Sequence, residues 1–276
     1  MHMGETAIRL RMVSDRRVKG ENSCVSAASK PPPPPDGFDR VPGAALPAAV
    51  AALHPMVRTD LEIDAAHAAR RLLGAVLVRT HDGECAAVRL VETEAYRGGD
   101  DPGSHAFRGP TPRNRAMFGP PGCAYVYFTY GSHFMLNVVC APNGQAGAVL
   151  LRGAEPVAGV DVMTRLRLRG RHVARPPRLD ADQGPTPAYV RWLMAGPARL
   201  AAALGIDGAD NGADMLGAVQ SLPPRGFLLL AGTPARPADI GQSGRIGLAA
   251  GRGRDLRLRF WLKGSPGVSN ARPDVP

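Results

Sequence analysis

Two glutamates and a tyrosine alternate through the segment from Val91 to Tyr96, which reads V-E-T-E-A-Y. In a β-strand, side chains two positions apart share a face, so Glu92, Glu94 and Tyr96 are predicted to project together. A carboxylate beside an aromatic ring suits proton transfer in a pocket. The same pattern alone is also typical of a solvated edge strand, and the neighbouring segments must decide between the two.

A long loop rich in glycine and proline follows this strand, over residues 97–122. Apolar side chains such as Phe107 are interleaved with its arginines. Its chemically active side chains are His105, Arg108, Arg113, Asn114 and Arg115. Loops of this length inside a compact domain are usually functional or disordered, and the interleaved apolar residues favour a functional loop.

Aromatic residues concentrate just beyond the loop. Four of the five tyrosines in the chain fall between positions 96 and 130. Tyr125 and Tyr127 are predicted on one face of a strand, and Tyr130 at the tip of a hairpin. Such clustering is hard to ascribe to packing alone, so the segment predicts an aromatic pocket beside the carboxylates.

The composition of the chain narrows the class of partner. Its 276 residues carry a formal net charge of +10, which favours a polyanion, nucleic acid before an acidic membrane. It has no run of 18 apolar residues and no secretory signal. We therefore expect a cytoplasmic location and no membrane span. The four cysteines form no C-x-x-C pair. We therefore expect no zinc or iron–sulfur site. Nothing in the motifs calls for another metal or for an organic cofactor, so neither is expected.

The N-terminal part of the chain differs from the rest. Residues 1–58 are polar, small and proline-rich, and they include the run Pro31 to Pro35. This predicts a disordered leader with a polyproline II stretch, or alternatively an interaction tail. A folded domain is predicted over residues 59–272, beginning with a helix that Thr59 or Asp60 caps and Gly74 ends.

The hydrophobic pattern beyond Gly74 separates strands from helices. Strands are predicted over residues 75–79, 86–95, 123–130, 133–140, 148–152, 245–248 and 256–262. Helices are predicted over residues 157–168, 187–194 and 197–204, with Thr186 capping the second. This segregation predicts an α+β single domain, in which helices pack around a curved, mainly antiparallel sheet with a protruding β-hairpin.

Four motifs in one order resemble the alkyladenine (3-methyladenine) DNA glycosylase family, over about residues 61–272. They are V-E-T-E-A-Y at 91–96, T-P-R-N-R-A-M-F at 111–118, Y-V-Y-F-T-Y-G at 125–131 and L-L-R-G-A-E-P at 150–156. The resemblance implies a base excision repair enzyme that acts on double-stranded DNA containing damaged purines, alkylated or deaminated. A bacterial, nucleoid-associated monomer is the corresponding expectation.

The resemblance also implies roles for individual residues. Glu94 would activate the attacking water, and Arg152 would hold that water and the nearby phosphate. Tyr130 would enter the gap that the extruded base leaves. The pocket for that base would be formed by Tyr96, His105, Tyr127 and Asn137. Candidate contacts to the DNA backbone are Arg113, Arg115, Ser132 and His133.

Several alternatives stay open at the level of sequence. Ser132 and His133 stand where many relatives carry apolar side chains, so the preference among damaged bases is expected to differ. The arginine-rich segment 165–178 is either a phosphate-contacting loop or a solvated helix end.

Only Lys263 of the three lysines falls in the folded body, which favours a water-based, monofunctional reaction over attack by an amine. The alternative functions are a catalytically silent DNA-binding protein and an unrelated hydrolase of nucleosides or other small substrates.

Overall fold

Eight antiparallel strands form one sheet in the computed structural model, which describes residues 46–129, 131–170, 173–179 and 184–269. The strands are β1 (Val76–His81), β2 (Glu84–Tyr96), β3 (Ala124–Thr129), β4 (His133–Val139), β5 (Ala148–Ala158), β6 (Gly226–Leu230), β7 (Ile240–Ser243) and β8 (Arg259–Leu262). The described helices are α1 (Ala48–Ala51), α2 (Ala65–Arg71), α3 (Val160–Leu168), α4 (Pro187–Met194) and α5 (Pro197–Ala203). The predicted α+β class is confirmed.

The sheet is arranged around β2. One edge of this strand pairs with β5, and the other pairs first with β1 and then, over residues 92–94, with β8. Register shifts on either side of Glu92 interrupt the pairing with β5, and irregularities of this kind bend a strand. The end of β2 that carries the two glutamates is therefore enclosed by a neighbour on each edge.

The predicted hairpin between residues 123 and 140 consists of β3 and β4. Their register runs from Ala124 opposite Val138 to Thr129 opposite His133, and β4 then pairs with β5. The outermost strand of this end of the sheet is thus β3. Tyr130, the predicted tip, lies outside the described residues.

Apolar side chains of α2, α4 and α5 pack on the sheet to form the main core. Leu72, Leu193 and Leu200 are fully buried examples, and burying one leucine contributes about 1.5–3 kcal/mol. Helix α4 begins as predicted, because Thr186 Oγ1 accepts the backbone N–H of Tyr189 at 3.2 Å. These helices thereby support the sheet, and Pro197 of α5 also lies beside the site described below.

The cap predicted for the first long helix is wrong. Thr59 and Asp60 belong to a separate 3-10 turn at Arg58–Asp60. Helix α2 begins later because Asp64 caps it, with Oδ1 accepting the backbone N–H of Ala66 at 2.8 Å. The chain does turn at Gly74, where φ is +87° and an added Cβ would lie 2.3 Å from the carbonyl oxygen of Thr233.

Strand β5 is longer than predicted, and α3 accordingly starts later. The strand pairs with β2 as far as Ala158, opposite Ala87, so the residues up to Ala158 belong to the sheet and not to a helix. Helix α3 begins at Val160 after Gly159, whose φ is +73°. Residues 171–172 of the arginine-rich segment 165–178 lie outside the described residues.

The strand predicted over residues 245–248 is wrong. This segment is a turn between β7 and β8, and Gly247 within it has φ of +81°. The Arg245 side chain and the Ile246 backbone N–H bond to groups of β2 and its following loop and not to a strand. Strand β6, an apolar run beside β1, was not predicted.

Residues 46–58, which the sequence assigned to the leader, contain ordered structure. Helix α1 buries Val50 against Val76 and Leu228, and Pro55 bridges to Leu230. Folding therefore begins before Thr59. Residues 1–45, with the predicted disorder and polyproline II stretch, lie outside the described residues. Among the residues that the structure describes, no helix is long and apolar enough to cross a membrane.

Candidate active site

A cavity of about 320 Å³ lies beside the ends of β2 and β5, within the size range of small-molecule sites. Its wall contains residues from β2, β3, β4, β5, the 97–122 loop and the turn at 246–248. Five residues predicted for the site line it, namely Tyr96, His105, Tyr127, Asn137 and Arg152. The topology of the sheet thus brings together side chains that are distant in sequence.

Glu94 lies directly behind this wall. Its side chain is fully buried, and three groups that line the cavity hold its carboxylate. Tyr96 Oη donates to Oε2 at 2.7 Å, the Ile246 backbone N–H donates to Oε1 at 2.8 Å, and Arg152 Nη1 lies 3.2 Å from Oε1. The carboxylate is therefore fixed immediately beneath the cavity surface.

The phenol of Tyr96 acts as a donor to this carboxylate. Burial, the negative charge of Glu94 and the hydrogen bond between them raise the pKa of Tyr96 well above its ordinary value of 10. The phenol therefore keeps its proton at neutral pH and points it at Glu94.

Arg152 bridges Glu92 and Glu94 of β2. The two glutamates therefore lie on one face of the strand, as predicted. Arg152 Nε donates to Glu92 Oε1 at 2.9 Å, and Glu92 also accepts Arg259 Nε at 2.7 Å. Burial opposes the charge on Glu92, yet Arg152 and Arg259 lower its pKa below the ordinary value. Burial also opposes the charge on Arg152, while the two glutamates raise its pKa. Glu92 and Arg152 therefore stay ionised at neutral pH.

Three aromatic rings stand together in the cavity wall. The His105 and Tyr127 ring centroids lie 4.7 Å apart at 74°, and those of Tyr125 and Tyr127 lie 5.4 Å apart. His105 Nδ1 is 2.9 Å from Tyr125 Oη. Desolvation of the histidine ring, together with the positive charge of Arg113, lowers the pKa of His105 below its ordinary value of 6.5. The ring is therefore neutral at neutral pH.

Asn137 contributes to the wall from β4. The residue is buried, and its Nδ2 donates to the backbone oxygen of Tyr125 at 2.9 Å. One of its amide hydrogens is therefore fixed by its own sheet. This bond orients the amide group at the cavity surface.

Asn114 is a structural residue of the 97–122 loop that the sequence singled out without a role. It is buried, and its Nδ2 donates to the backbone oxygens of His105 at 2.8 Å and Gly109 at 3.0 Å. The backbone N–H of Thr111 donates to its Oδ1. This side chain therefore closes the loop and fixes the position of His105.

The candidate contacts to the DNA backbone are all exposed, and they are Arg113, Arg115, Ser132 and His133. Arg113 Nη2 lies 3.4 Å from the backbone oxygen of Phe128, so this guanidinium reaches across to β3. Tyr130 lies outside the described residues. Among the residues that the structure describes, no group of three or more histidine, cysteine or acidic side chains could hold a metal ion.

The sequence did not identify three residues that complete the site. Ile246 supplies a backbone donor to Glu94, and Asp101 and Arg245 form a fully buried ion pair next to it. Ile246 contributes through its backbone, which no side-chain pattern reveals. The position of Asp101 in a glycine-rich loop was a usable signal, because an acid in such a loop often organises backbone N–H groups.

Comparisons with known proteins identify the family of this chain. The family model for methylpurine-DNA glycosylase matches residues 59–266. A protein of Leifsonia xyli named "Putative 3-methyladenine DNA glycosylase" is 48% identical over 203 residues, 73% of this chain and 85% of the relative. Proteins with the same name from Koribacter versatilis and Streptomyces avermitilis are 39% and 42% identical, over 81% and 74% of this chain and 97% and 86% of theirs. The chain belongs to the methylpurine-DNA glycosylase family and is a DNA glycosylase.

Proposed function

We propose that this enzyme hydrolyses the bond between base and sugar of alkylated or deaminated purines that are flipped out of double-stranded DNA, as a monofunctional glycosylase of base excision repair. One observation carries the proposal. Glu94 is held by Tyr96, Ile246 and Arg152 at the wall of a cavity that aromatic rings also line. This arrangement provides a base for water next to a slot for a purine.

The hydrogen bonds of Glu94 leave capacity for a water molecule. A carboxylate offers about four acceptor positions, two on each oxygen. Arg152 and the Ile246 N–H occupy the Oε1 side, and Tyr96 is the one described donor to Oε2. A water that donates to Oε2 would be aligned by the fixed carboxylate and could pass its proton to it during attack. General-base assistance of this kind typically contributes about 10²–10⁴-fold in rate.

The charges at the site favour cleavage of the bond between base and sugar. Positive charge develops on the sugar as the base departs, and a buried carboxylate stabilises such charge without reorganising. Glu94 is buried and cannot move freely, because its neighbours hold both oxygens. Arg152 lines the cavity and would bind the water or the adjacent phosphate. It stays in place because Glu92 holds its Nε.

The aromatic side of the cavity suits an electron-poor purine. Alkylated bases that carry positive charge are attracted to the faces of tyrosine rings, here Tyr96 and Tyr127. His105 is neutral at neutral pH and so adds no repulsion against a cationic base. Asn137 presents an amide at the cavity wall, where we propose that it disfavours the exocyclic amine of guanine.

Access to a base within a duplex requires that the base be flipped, at a cost of a few kcal/mol that is smallest for weakened pairs. We assign to Tyr130, at the end of the β3–β4 hairpin, the wedge that fills the gap. The exposed side chains of Arg113, Arg115, Ser132 and His133 would contact the backbone around it. Arg113 Nη2 reaches the backbone oxygen of Phe128, the residue that follows Tyr127 of the cavity wall.

A strand-nicking mechanism would require an amine in the cavity. Lys263 is the lysine within the described residues, and its Nζ donates to the backbone oxygen of Ala238 at 2.9 Å. It is not among the residues that line the cavity. Attack by water therefore fits the site better than attack by an amine.

The test compares Glu94→Gln with the wild type in single-turnover excision from duplex oligonucleotides that contain hypoxanthine, ethenoadenine or 3-methyladenine. Glu155→Gln, on the neighbouring strand β5, is the matched control because its carboxylate pairs with Arg89 away from the cavity. We expect a loss of about 10²–10⁴-fold for Glu94→Gln and a wild-type rate for the control. The strand should break only after alkali treatment. Equal rates for Glu94→Gln and the wild type would exclude the general-base role, and absence of excision by the wild type would favour a silent DNA-binding protein.

A further inference from the structure

A buried ion pair lies behind the cavity wall, between Arg245 and Asp101. The two terminal nitrogens of Arg245 meet the two carboxylate oxygens of Asp101 at 2.6 Å each. Both side chains are fully buried. Arg245 Nη1 also donates to the backbone oxygen of Ala95, at 2.9 Å. The guanidinium is thus fixed in one plane by a carboxylate and by the residue between Glu94 and Tyr96.

Arg245 of this ion pair is linked to two of the three groups that hold Glu94. The Arg245 guanidinium lies over the Tyr96 ring, 4.6 Å from its centroid, and the Tyr96 hydroxyl donates to Glu94. The residue after Arg245 is Ile246, whose backbone N–H is the second donor to Glu94. Displacement of Arg245 would therefore move two of the three groups that hold the carboxylate.

Asp101 extends the same arrangement to the loop that carries His105. Its oxygens accept the backbone N–H groups of Arg97 and Gly103 at 3.0 Å each. Gly103 lines the cavity, and a Cβ added there would lie 2.7 Å from Arg245 Nη2. The loop backbone therefore closes tightly over the ion pair.

We propose that Arg245, paired with Asp101, is a positioning residue for base excision, which acts by fixing the orientation of the Glu94 carboxylate through Tyr96 and Ile246. This rests on the proposed function of Glu94. Loss of the bidentate geometry would lower the rate of the chemical step and leave the binding of damaged DNA nearly unchanged. Lysine cannot substitute, because an ammonium neither makes two parallel bonds to a carboxylate nor stacks flat on a ring.

The chain offers a closely matched control for a purely structural effect. Arg79 is also buried, pairs with Asp210 at 3.0 Å and lies over an aromatic ring, that of Phe227, at 4.4 Å. It bonds to the backbone oxygen of Leu204 and is not among the residues that line the cavity. Arg79→Lys should therefore destabilise the fold much as Arg245→Lys does, without touching Glu94.

The experiment measures single-turnover excision of hypoxanthine from a duplex oligonucleotide, well below the melting temperature of each variant, and the Kd for a duplex that contains a stable abasic analogue. For Arg245→Lys we expect the rate to fall about 10–100-fold, the size of effect seen when the hydrogen-bond partner of a metal ligand is removed, with Kd changed less than about twofold. Arg79→Lys should keep the wild-type rate. Should Arg245→Lys fail to fold, Asp101→Asn, which keeps the shape of the side chain, is judged by the same criteria.

A double substitution separates positioning from general damage. If Arg245 acts through Glu94, Arg245→Lys will have little further effect in the Glu94→Gln enzyme, since the group that it orients is gone. An equal fold-loss in both backgrounds, a loss no larger than that of Arg79→Lys, or a parallel weakening of Kd would each overturn the proposal. Failure of the proposed function would appear separately, as a wild-type rate for Glu94→Gln alone.

Discussion

Substitution of Glu92 by glutamine tests whether the charges beneath the cavity are balanced. Glu92 is fully buried and accepts Arg152 Nε, Arg259 Nε and two donors of Ser269, its backbone N–H at 2.6 Å and its Oγ at 2.7 Å. Glu92→Gln would remove the acid that pairs with both guanidiniums, of which Arg152 alone also has an ion pair with Glu94 among the described contacts. The amide nitrogen of the glutamine would also face a donor, because each oxygen of Glu92 accepts at least one hydrogen bond.

The expected cost follows from burial. Removal of one partner from a buried ion pair typically costs about 3–5 kcal/mol, which is a large part of the roughly 5–15 kcal/mol that stabilises a domain. The exposed fraction of the Glu155 side chain is 20%, and that of its partner Arg89 is 45%, so Glu155→Gln should cost about 1 kcal/mol or less. The losses of unfolding free energy for Glu92→Gln and Glu155→Gln should therefore differ by several kcal/mol.

The pH dependence of this difference has a definite sign. Folding lowers the pKa of Glu92, so its ionised form stabilises the native state above the unfolded pKa, near 4.5, and this contribution is lost as the pH falls through the lower folded value. Glutamine does not titrate. The stabilities of wild type and Glu92→Gln should therefore differ most near neutral pH and converge in acid.

Urea unfolding at several pH values, followed by circular dichroism, measures these free energies. Single-turnover excision in parallel reports on Arg152, which loses its Nε acceptor in Glu92→Gln. A loss of unfolding free energy below about 1 kcal/mol for Glu92→Gln, or a loss that stays constant down to pH 3, would refute the reasoning. The charges of Glu92 and Glu94 would then not compensate those of Arg152 and Arg259.

Two further predictions concern contacts with DNA. Affinity for a duplex that contains a cationic base such as 3-methyladenine should fall as the pH drops below 6.5, because His105, flanked by Tyr125, Tyr127 and Arg113, then gains a positive charge. His105→Gln should flatten that profile, and an unchanged profile in the variant would exclude His105 as its source. Tyr130→Ala should weaken binding to damaged duplex about 5–150-fold, the equivalent of one base–aromatic stack at about 1–3 kcal/mol, with an unchanged circular dichroism spectrum. Equal affinities for Tyr130→Ala and the wild type would remove the wedge assignment.

Local patterns predicted the elements that position the site. The alternation of Glu92, Glu94 and Tyr96 depends only on the two-residue period of a strand, and the structure places all three on one face. Helix α4 was predicted with its cap because Thr186 followed by a proline is a local signal. These features need no knowledge of distant contacts.

The remainder depends on contacts between distant parts of the chain. The segment at 245–248 has the composition of a strand, but Arg245 bonds to Asp101, which precedes it by 144 positions. Tertiary hydrogen bonds of this kind override a local β propensity. Strand β6 was missed for a related reason, since a short apolar run such as Gly226–Leu230 is ambiguous until its partner β1 is known.

The buried charges explain how so basic a protein can keep arginines in its interior. Four arginines are buried, Arg79, Arg152, Arg245 and Arg259, and so are four acids, Glu92, Glu94, Asp101 and Asp210. Since these described groups cancel, the formal net charge of +10 is carried by the rest of the chain, where it can attract phosphates. The two populations of arginine therefore have separate effects. Changes to the buried set alter the geometry of Glu94 or the stability of the fold, whereas changes to exposed residues such as Arg113 alter the attraction for DNA and its dependence on salt.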